Sequence, residues 1–180
     1  MRLVLREQLL AAMFAGVIAI SAQIIIPLGF IPLSLQTFTV GLTATLLGRK
    51  TGTWAILIYL LLGLIGLPVF AGGKSGFGVL FGPTGGYLIG YLFASLLIGS
   101  LIKKGTWSYL QVIFINFLGF IVALVFGTLW LTVVADLSLP QGIASGFIPF
   151  ILPELIKATS VGILAVSLKK RLPEKFFNLA

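Results

Sequence analysis

Residues 66 to 90 read GLPVFAGGKSGFGVLFGPTGGYLIG, and this stretch decides how the rest of the chain is interpreted. It holds nine glycines, which are Gly66, Gly72, Gly73, Gly76, Gly78, Gly82, Gly85, Gly86 and Gly90. Glycine permits positive φ and a close approach of the backbone to a ligand or a helix. Since the flanking sequence is almost continuously apolar, we interpret the stretch as irregular backbone at a membrane that forms part of a small-molecule pocket.

The composition predicts an integral membrane protein. Of the 180 residues, 59% are hydrophobic and 9% are charged, with a mean hydropathy of +1.18. A soluble domain of this length is far less apolar. We expect a single membrane domain whose first apolar run is a retained helix rather than a cleaved signal peptide.

The apolar runs predict an all-α membrane protein with six transmembrane helices. A helix needs about 20 apolar residues to cross a bilayer. The predicted spans cover about residues 8–28, 32–48, 53–68, 84–102, 108–135 and 147–168. We expect Pro27 and Pro32 to bracket the first turn, because proline ends or kinks a helix.

The basic residues predict the orientation of the chain. Ten of the 12 fall on connections at one face, namely Arg2, Arg6, Arg49, Lys50, Lys103, Lys104, Lys169, Lys170, Arg171 and Lys175. The positive-inside rule then places both termini in the cytoplasm and the glycine-rich connection outside. We therefore attribute the net charge of +8 to membrane topology and not to nucleic-acid binding.

Glu154 and Lys157 of the sixth span are the main candidates for a binding site. An ionisable residue inside the membrane costs about 2.5 to 3.5 kcal/mol, so a pair of them needs a reason. Their spacing places them on one helical face, where they partly neutralise each other. An ion pair that only fixes helix packing is the alternative to a polar patch in an apolar pocket. We favour the patch, because the span enters from the outer face and the glycine-rich loop can reach it.

Weaker polar candidates are Gln36, Lys74, Ser75, Tyr87 and Asn116. For Gln36, Tyr87 and Asn116 an interhelical hydrogen bond is the commoner explanation. We expect Asp136 to be solvated, and interfacial anchoring suffices to explain Trp54, Trp107 and Trp130.

Two rows of small residues predict close helix contacts. Ala11, Ala15 and Ala19 share one helical face, and their spacing alone leaves internal packing and an external partner equally open. The row Gly82, Gly86 and Gly90 favours internal packing.

The residue types argue against an enzyme and against a bound metal. The chain has neither Cys nor His, and Asp136 is its sole aspartate. The run Gly73-Lys74-Ser75 is similar to the end of a P-loop, but Pro68 stands where that motif needs glycine. A serine and lysine pair stays open on composition, although nothing places a serine beside Lys157. We expect no cofactor on this chain.

Two motifs resemble those of the BioY family, the substrate-binding components of energy-coupling-factor (ECF) biotin transporters. They are Gly66-Leu-Pro68-Val-Phe70-Ala-Gly72-Gly73 and Gly82-Pro83-Thr84-Gly85-Gly86-Tyr87-Leu-Ile-Gly90. Further matches are Ile26-Pro27-Leu28-Gly29, Leu35-Gln36-Thr37 and Leu47-Gly48. The resemblance covers nearly the whole chain.

The resemblance implies an S-component-like bundle in the cell membrane that captures biotin from outside with high affinity. Its partners would be a transmembrane coupling subunit and two cytoplasmic ATPase subunits, which would use the ATP. The row Ala11, Ala15 and Ala19 is similar to the AxxxA surface by which such components dock on the coupling subunit.

For the ligand, the resemblance implies that Glu154 accepts from a ureido NH and that Lys157 donates to the ureido carbonyl or the carboxylate. The family usually has aspartate three residues before this lysine, so Glu154 changes the reach by one methylene. The site would be completed by backbone NH groups of Gly72, Gly73, Gly76 and Gly78, by Lys74 or Ser75, and by the rings of Phe70, Phe77 and Tyr87.

Three other functions stay open. The chain could bind a different vitamin on the same scaffold, act as an assembly or structural subunit of a membrane complex, or work alone as a secondary carrier.

Overall fold

The computed structural model describes residues 4–102, 105 and 107–172. Within them the helices are α1 (Leu5–Ser21), α2 (Gln36–Leu64), α3 (Phe77–Phe81), α4 (Gly85–Leu101), α5 (Tyr109–Val134), α6 (Leu139–Gly146) and α7 (Ile148–Arg171). A two-stranded antiparallel sheet pairs β1 (Ile25–Ile26) with β2 (Leu33–Ser34). The topology residues Arg2, Lys103, Lys104 and Lys175 lie outside the described residues.

Helix α2 is broken at Gly48, which has φ 71° and ψ −176°. Glycine adopts this positive φ without steric cost. The break separates an arm over residues 36–47 from one over residues 49–64, so the described part of the chain contains six long helical segments. The interruption predicted between residues 48 and 53 is therefore a single residue. Helix α4 packs closely there, since a Cβ on Gly99 would lie 2.4 Å from the backbone N of Arg49.

The first connection starts earlier and ends later than the sequence predicts. Helix α1 ends at Ser21, whereas the predicted span runs to residue 28. The chain then forms the hairpin of β1 and β2, in which Ile25 faces Ser34. The hairpin satisfies backbone N–H and C=O groups of this segment by pairing between strands instead of within a helix. Next to it, the Leu35 N–H donates to the Ile24 carbonyl at 3.1 Å. Helix α2 accordingly begins at Gln36 and not at residue 32.

Glycines bring α4 against α5. A Cβ on Gly86 would lie 2.2 Å from the Trp130 Cβ, and one on Gly90 would lie 2.9 Å from the Ala123 Cα. Real Cβ atoms do not approach so closely, so these two positions require glycine at this helix spacing. Gly86 and Gly90 therefore serve internal packing, as their spacing predicts.

The alanine row of α1 faces the interior of the bundle. Ala11 and Ala15 are fully buried and Ala19 is half-buried, whereas Leu9 and Met13 on the other side of α1 are exposed. Helix α1 packs mainly on α2 through this row. In this conformation Ala11 and Ala15 are packing residues and are not accessible to a partner protein.

In the part of the chain that the structure describes, two helical segments are long and apolar enough to cross a membrane by length and composition. They are Tyr109–Val134, with mean hydropathy 2.5, and Leu139–Arg171, with mean hydropathy 1.6. Gly85–Leu101 is a shorter apolar helix. Large apolar side chains are exposed on their outer sides, such as Phe114 of α5 and Leu152 of α7. Exposed apolar side chains on these helices suit contact with lipid.

Candidate functional site

A pocket lies between the β hairpin, the start of α2, the glycine-rich connection, α4, α5 and α7. Its wall is mostly apolar, with a few polar side chains. It is lined by Ile31, Pro32, Leu33, Ser34, Gln36, Thr37, Phe70, Ala71, Lys74, Val79, Thr84, Tyr87, Leu88, Tyr91, Ala123, Leu124, Phe150, Glu154 and Lys157.

Glu154 and Lys157 line this pocket from α7 as a bonded pair. The Lys157 ammonium donates to Glu154 Oε1 at 2.7 Å, as the spacing of three residues on one helix allows. Both side chains also meet Thr37 of α2, whose hydroxyl donates to Glu154 Oε1 at 2.9 Å and accepts from the Lys157 ammonium at 2.7 Å. Thr37 thus fixes the pair from a second helix.

The second oxygen of Glu154 has no hydrogen-bond partner among the described residues. Glu154 is 2% exposed, and its Oε2 atom is buried. A buried acceptor without a partner costs free energy, so its presence in a native protein needs an explanation such as a bound ligand. Because Glu154 lines the pocket, this oxygen is the candidate acceptor for a ligand that brings an N–H or O–H donor.

Gln36 organises a second polar cluster at the pocket wall. Its amide NH₂ donates to the Tyr59 hydroxyl, and its Oε1 accepts from the Ser34 hydroxyl at 2.9 Å and from the Tyr91 hydroxyl at 3.4 Å. These bonds join α2, β2 and α4. Gln36 therefore makes an interhelical hydrogen bond, as expected, and also lies in the pocket wall.

The glycine-rich connection reaches the pocket through Phe70, Ala71 and Lys74. The Phe70 N–H bonds to the Lys74 carbonyl at 3.0 Å, and Gly72 and Gly73 between them have φ of 70° and 74°. The two glycines therefore make a tight turn that glycine alone adopts easily.

The turn is anchored from its inner side. Phe70 is 1% exposed and lies edge-on to Tyr59, with 5.7 Å between ring centroids. A Cβ on Gly63 would lie 2.1 Å from the Phe70 ring. The Phe70 ring thus occupies space that is open because Gly63 has no side chain.

The other loop residues predicted to contact a ligand lie off the pocket lining. They are Gly72, Gly73, Ser75, Gly76, Phe77 and Gly78, of which Phe77 is 63% exposed. Gly72 and Gly73 form the turn that carries Phe70 and Lys74.

Tyr87 lines the pocket with its ring, while its hydroxyl is used elsewhere. The hydroxyl donates to the Gly146 carbonyl at the end of α6 at 2.7 Å. Its ring is tilted against Phe150 of α7, with 6.5 Å between centroids. Tyr87 therefore links α4 to the start of the helix that carries Glu154.

The other polar candidates lie outside the pocket lining. Asn116 donates to the Thr45 hydroxyl of α2 at 2.9 Å, which is the interhelical role expected for it. Asp136 is exposed. The Trp130 N–H donates to the Gly82 carbonyl at 3.0 Å, so this indole fixes the glycine-rich connection to α5 in addition to any interfacial role.

Sequence reasoning missed Thr37, Ser34, Tyr91 and Phe150 as pocket residues. Tyr91 follows Tyr87 by one helical turn, so helical spacing could have placed it on the same face. Thr37 carries no local signal of its own, because its partners Glu154 and Lys157 are distant in sequence.

Comparisons with known proteins all match this chain to one family. The family model described as the BioY family matches residues 1–174. The chain is 42% identical to the biotin transporter BioY2 of Lactococcus lactis subsp. cremoris over 94% of each chain. It is 41% identical to the biotin transporter BioY of Thermotoga maritima, over 92% of this chain and 97% of the relative.

A solved structure agrees as well. It is the S-component for biotin from an ECF-type ABC transporter, which superimposes with a TM-score of 0.88 at 31% identity. The match covers 96% of this chain and 95% of the other.

Proposed function

The chain belongs to the BioY family, and we propose that it captures biotin from outside the cell as the substrate-binding subunit of an ECF-type ABC transporter. The family is one of transporters and not of enzymes. Biotin is thus bound as a transported ligand, and no cofactor is implied.

The observation that carries the proposal is the buried Glu154 of the apolar pocket, whose Oε1 pairs with the Lys157 ammonium and whose Oε2 has no hydrogen-bond partner among the described residues. Biotin has an apolar fused ring body with a ureido group that offers N–H donors and a carbonyl acceptor. Glu154 Oε2 would accept from a ureido N–H, and the Lys157 ammonium would donate to the ureido carbonyl. Phe70, Tyr87 and Phe150 would cover the rings.

The chain is a membrane protein, as its transporter relatives and its two long apolar helices indicate. We place it in the plasma membrane with six spans, both termini in the cytoplasm and the glycine-rich connection outside. With this orientation, the ion pair of Glu154 and Lys157 would lie in the outer part of the bundle.

A coupling subunit and two ATPase subunits would drive release of the ligand inward, since the chain itself carries no nucleotide motif. Helix α1 would meet the coupling subunit. Because Ala11 and Ala15 are buried, that contact would use Ala19 and the exposed side of α1.

The proposal is tested by titrating the purified protein in detergent with biotin, after bound ligand has been stripped, by calorimetry. We expect one-to-one binding with a nanomolar dissociation constant. Riboflavin and pantothenate serve as ligand controls. Tighter binding of another vitamin would replace biotin as the ligand.

Two further measurements separate the remaining alternatives. An assembly subunit would gain no thermal stability from micromolar biotin, whereas a binding protein would. Uptake by vesicles that contain this chain alone would show an autonomous carrier.

A further inference from the structure

The charges of the charged side chains in the pocket wall do not sum to zero. These side chains are Lys74, Glu154 and Lys157. Glu154 and Lys157 neutralise each other at 2.7 Å. Lys74 makes no ion pair within the described residues, so the wall carries one uncompensated positive charge. A ligand with a single negative charge would complete it.

Lys74 and the ion pair occupy different environments of the same pocket. Lys74 is exposed, whereas Glu154 is 2% exposed. Lys74 therefore lies on the solvent side of the pocket and the pair lies on its buried side. A ligand that reached both would need polar groups at two ends with an apolar part between them.

The backbone of Lys74 is held in place, which makes it a usable contact. Its carbonyl accepts from the Phe70 N–H at 3.0 Å, and the Phe70 carbonyl accepts from the Gln23 amide at 3.3 Å. Two bonds and two positive-φ glycines thus fix the turn, while the lysine side chain is exposed at the pocket. A site on a supported turn loses less entropy on binding.

We propose that Lys74 binds the carboxylate of the ligand and makes the site selective for the free acid over its neutral amide. The inference rests on the proposed function, because biotin carries its carboxylate on a flexible chain opposite the ureido group. With the ureido group at Glu154 and Lys157, that chain extends to the solvent side.

Lys157 is the other cation, and its surroundings disfavour a carboxylate. Its ammonium already donates to Glu154 Oε1 and to the Thr37 hydroxyl. A second carboxylate there would meet the charge of Glu154 at close range, and like charges repel most strongly where water is excluded. Lys74 has no such neighbour among the described residues.

A contact between Lys74 and the carboxylate would define the class of substrate that the site accepts. Biotin joined through its carboxyl group to another molecule, as an amide, would lose the contact with Lys74. The site would thus select the free vitamin from a mixture that also contains its conjugates.

The test compares biotin with biotinamide, which differs only in having a carboxamide in place of the carboxylate. Calorimetry on the full chain in detergent measures both affinities for the parent, for Lys74→Met and for Lys170→Met. Lys170 is the matched control, since it is an exposed lysine outside the pocket lining.

We expect the parent to bind biotin about five- to tenfold more tightly than biotinamide, between the values for an exposed ion pair and a charged hydrogen bond. Lys74→Met should remove the preference, and Lys74→Glu should reverse it. Lys170→Met should retain it. The preference of the parent should shrink as salt is raised, because the contact is partly exposed.

Equal affinity of the parent for both ligands would overturn the inference and leave the proposed function standing. A preference that survives in Lys74→Met, or that vanishes in Lys170→Met, would overturn it too. Failure of the folded parent to bind either ligand would overturn the proposed function together with this inference.

Discussion

Replacing Glu154 with glutamine tests whether the buried pair binds the ligand or only fixes the helices. The amide oxygen can take the place of Oε1 and keep the bonds from Thr37 and Lys157, which measure 2.9 and 2.7 Å. The amide NH₂ then occupies the position of Oε2. It is a donor, as is the ureido N–H of the ligand, so the two cannot form a hydrogen bond. A hydrogen bond to a charged group contributes about 1.5 to 3 kcal/mol. We therefore expect biotin affinity to fall by about 10- to 100-fold.

A second variant separates stability from binding. Lys157→Met leaves the Glu154 carboxylate buried without its partner, and breaking a buried pair on one side costs about 3 to 5 kcal/mol. The cost should be smaller here, because the Lys157 side chain is 11% exposed. The double variant Glu154→Gln/Lys157→Met leaves no uncompensated charge, so it should recover the thermal stability of the unliganded protein.

Thermal unfolding without ligand and calorimetry with biotin are measured on the same four proteins. If the pair binds the ligand, the double variant is stable but binds biotin at least 100-fold more weakly than the parent. If the pair only fixes packing, the double variant binds as the parent does. Parent-like affinity in a double variant with a parent-like unfolding temperature would refute our reasoning.

Three other outcomes are expected. Gly63→Ala would put a Cβ 2.1 Å from the Phe70 ring, so it should lower stability by about 1 to 3 kcal/mol and weaken biotin binding. Gly16→Ala has open space around it inside α1, so it should leave binding unchanged and should not lower stability. Tyr87→Phe removes the bond to the Gly146 carbonyl, so urea or thermal unfolding should show a loss of about 0.5 to 1.5 kcal/mol; an unchanged unfolding free energy would show that this bond contributes nothing. Biotin at 100 times its dissociation constant should stabilise the parent by about 2.7 kcal/mol, and no rise in unfolding temperature would contradict a capture role.

Local signals in the sequence were sufficient for the helices and for part of the site. Continuous hydropathy predicts α4, α5 and α7 within a few residues of the bounds observed, because a helix in lipid must satisfy its own backbone. The spacing of Glu154 and Lys157 fixes their bond, since residues three apart on a helix are neighbours. The family motif predicts the BioY fold, and the matched relatives confirm it.

The hairpin and the role of the loop glycines could not be read in this way. Nothing local distinguishes a helix end at residue 28 from one at Ser21, because the residues between are mostly apolar in either case. Glycine density predicts an unusual backbone, and Gly72 and Gly73 do adopt positive φ. It does not tell whether the turn or the ligand needs that backbone.

By itself the sequence determined the membrane class, the helices and the two charges of α7, because hydropathy and helical spacing act within one element. Only the tertiary structure decided which faces meet. It brings Thr37 to Glu154 across 117 positions, and it turns Ala11 and Ala15 inward. The physical reason is that core-facing and lipid-facing positions of a membrane helix are both apolar, so composition does not encode the rotation of a helix about its axis. Packing between helices sets that rotation, and with it the polar wall of the pocket.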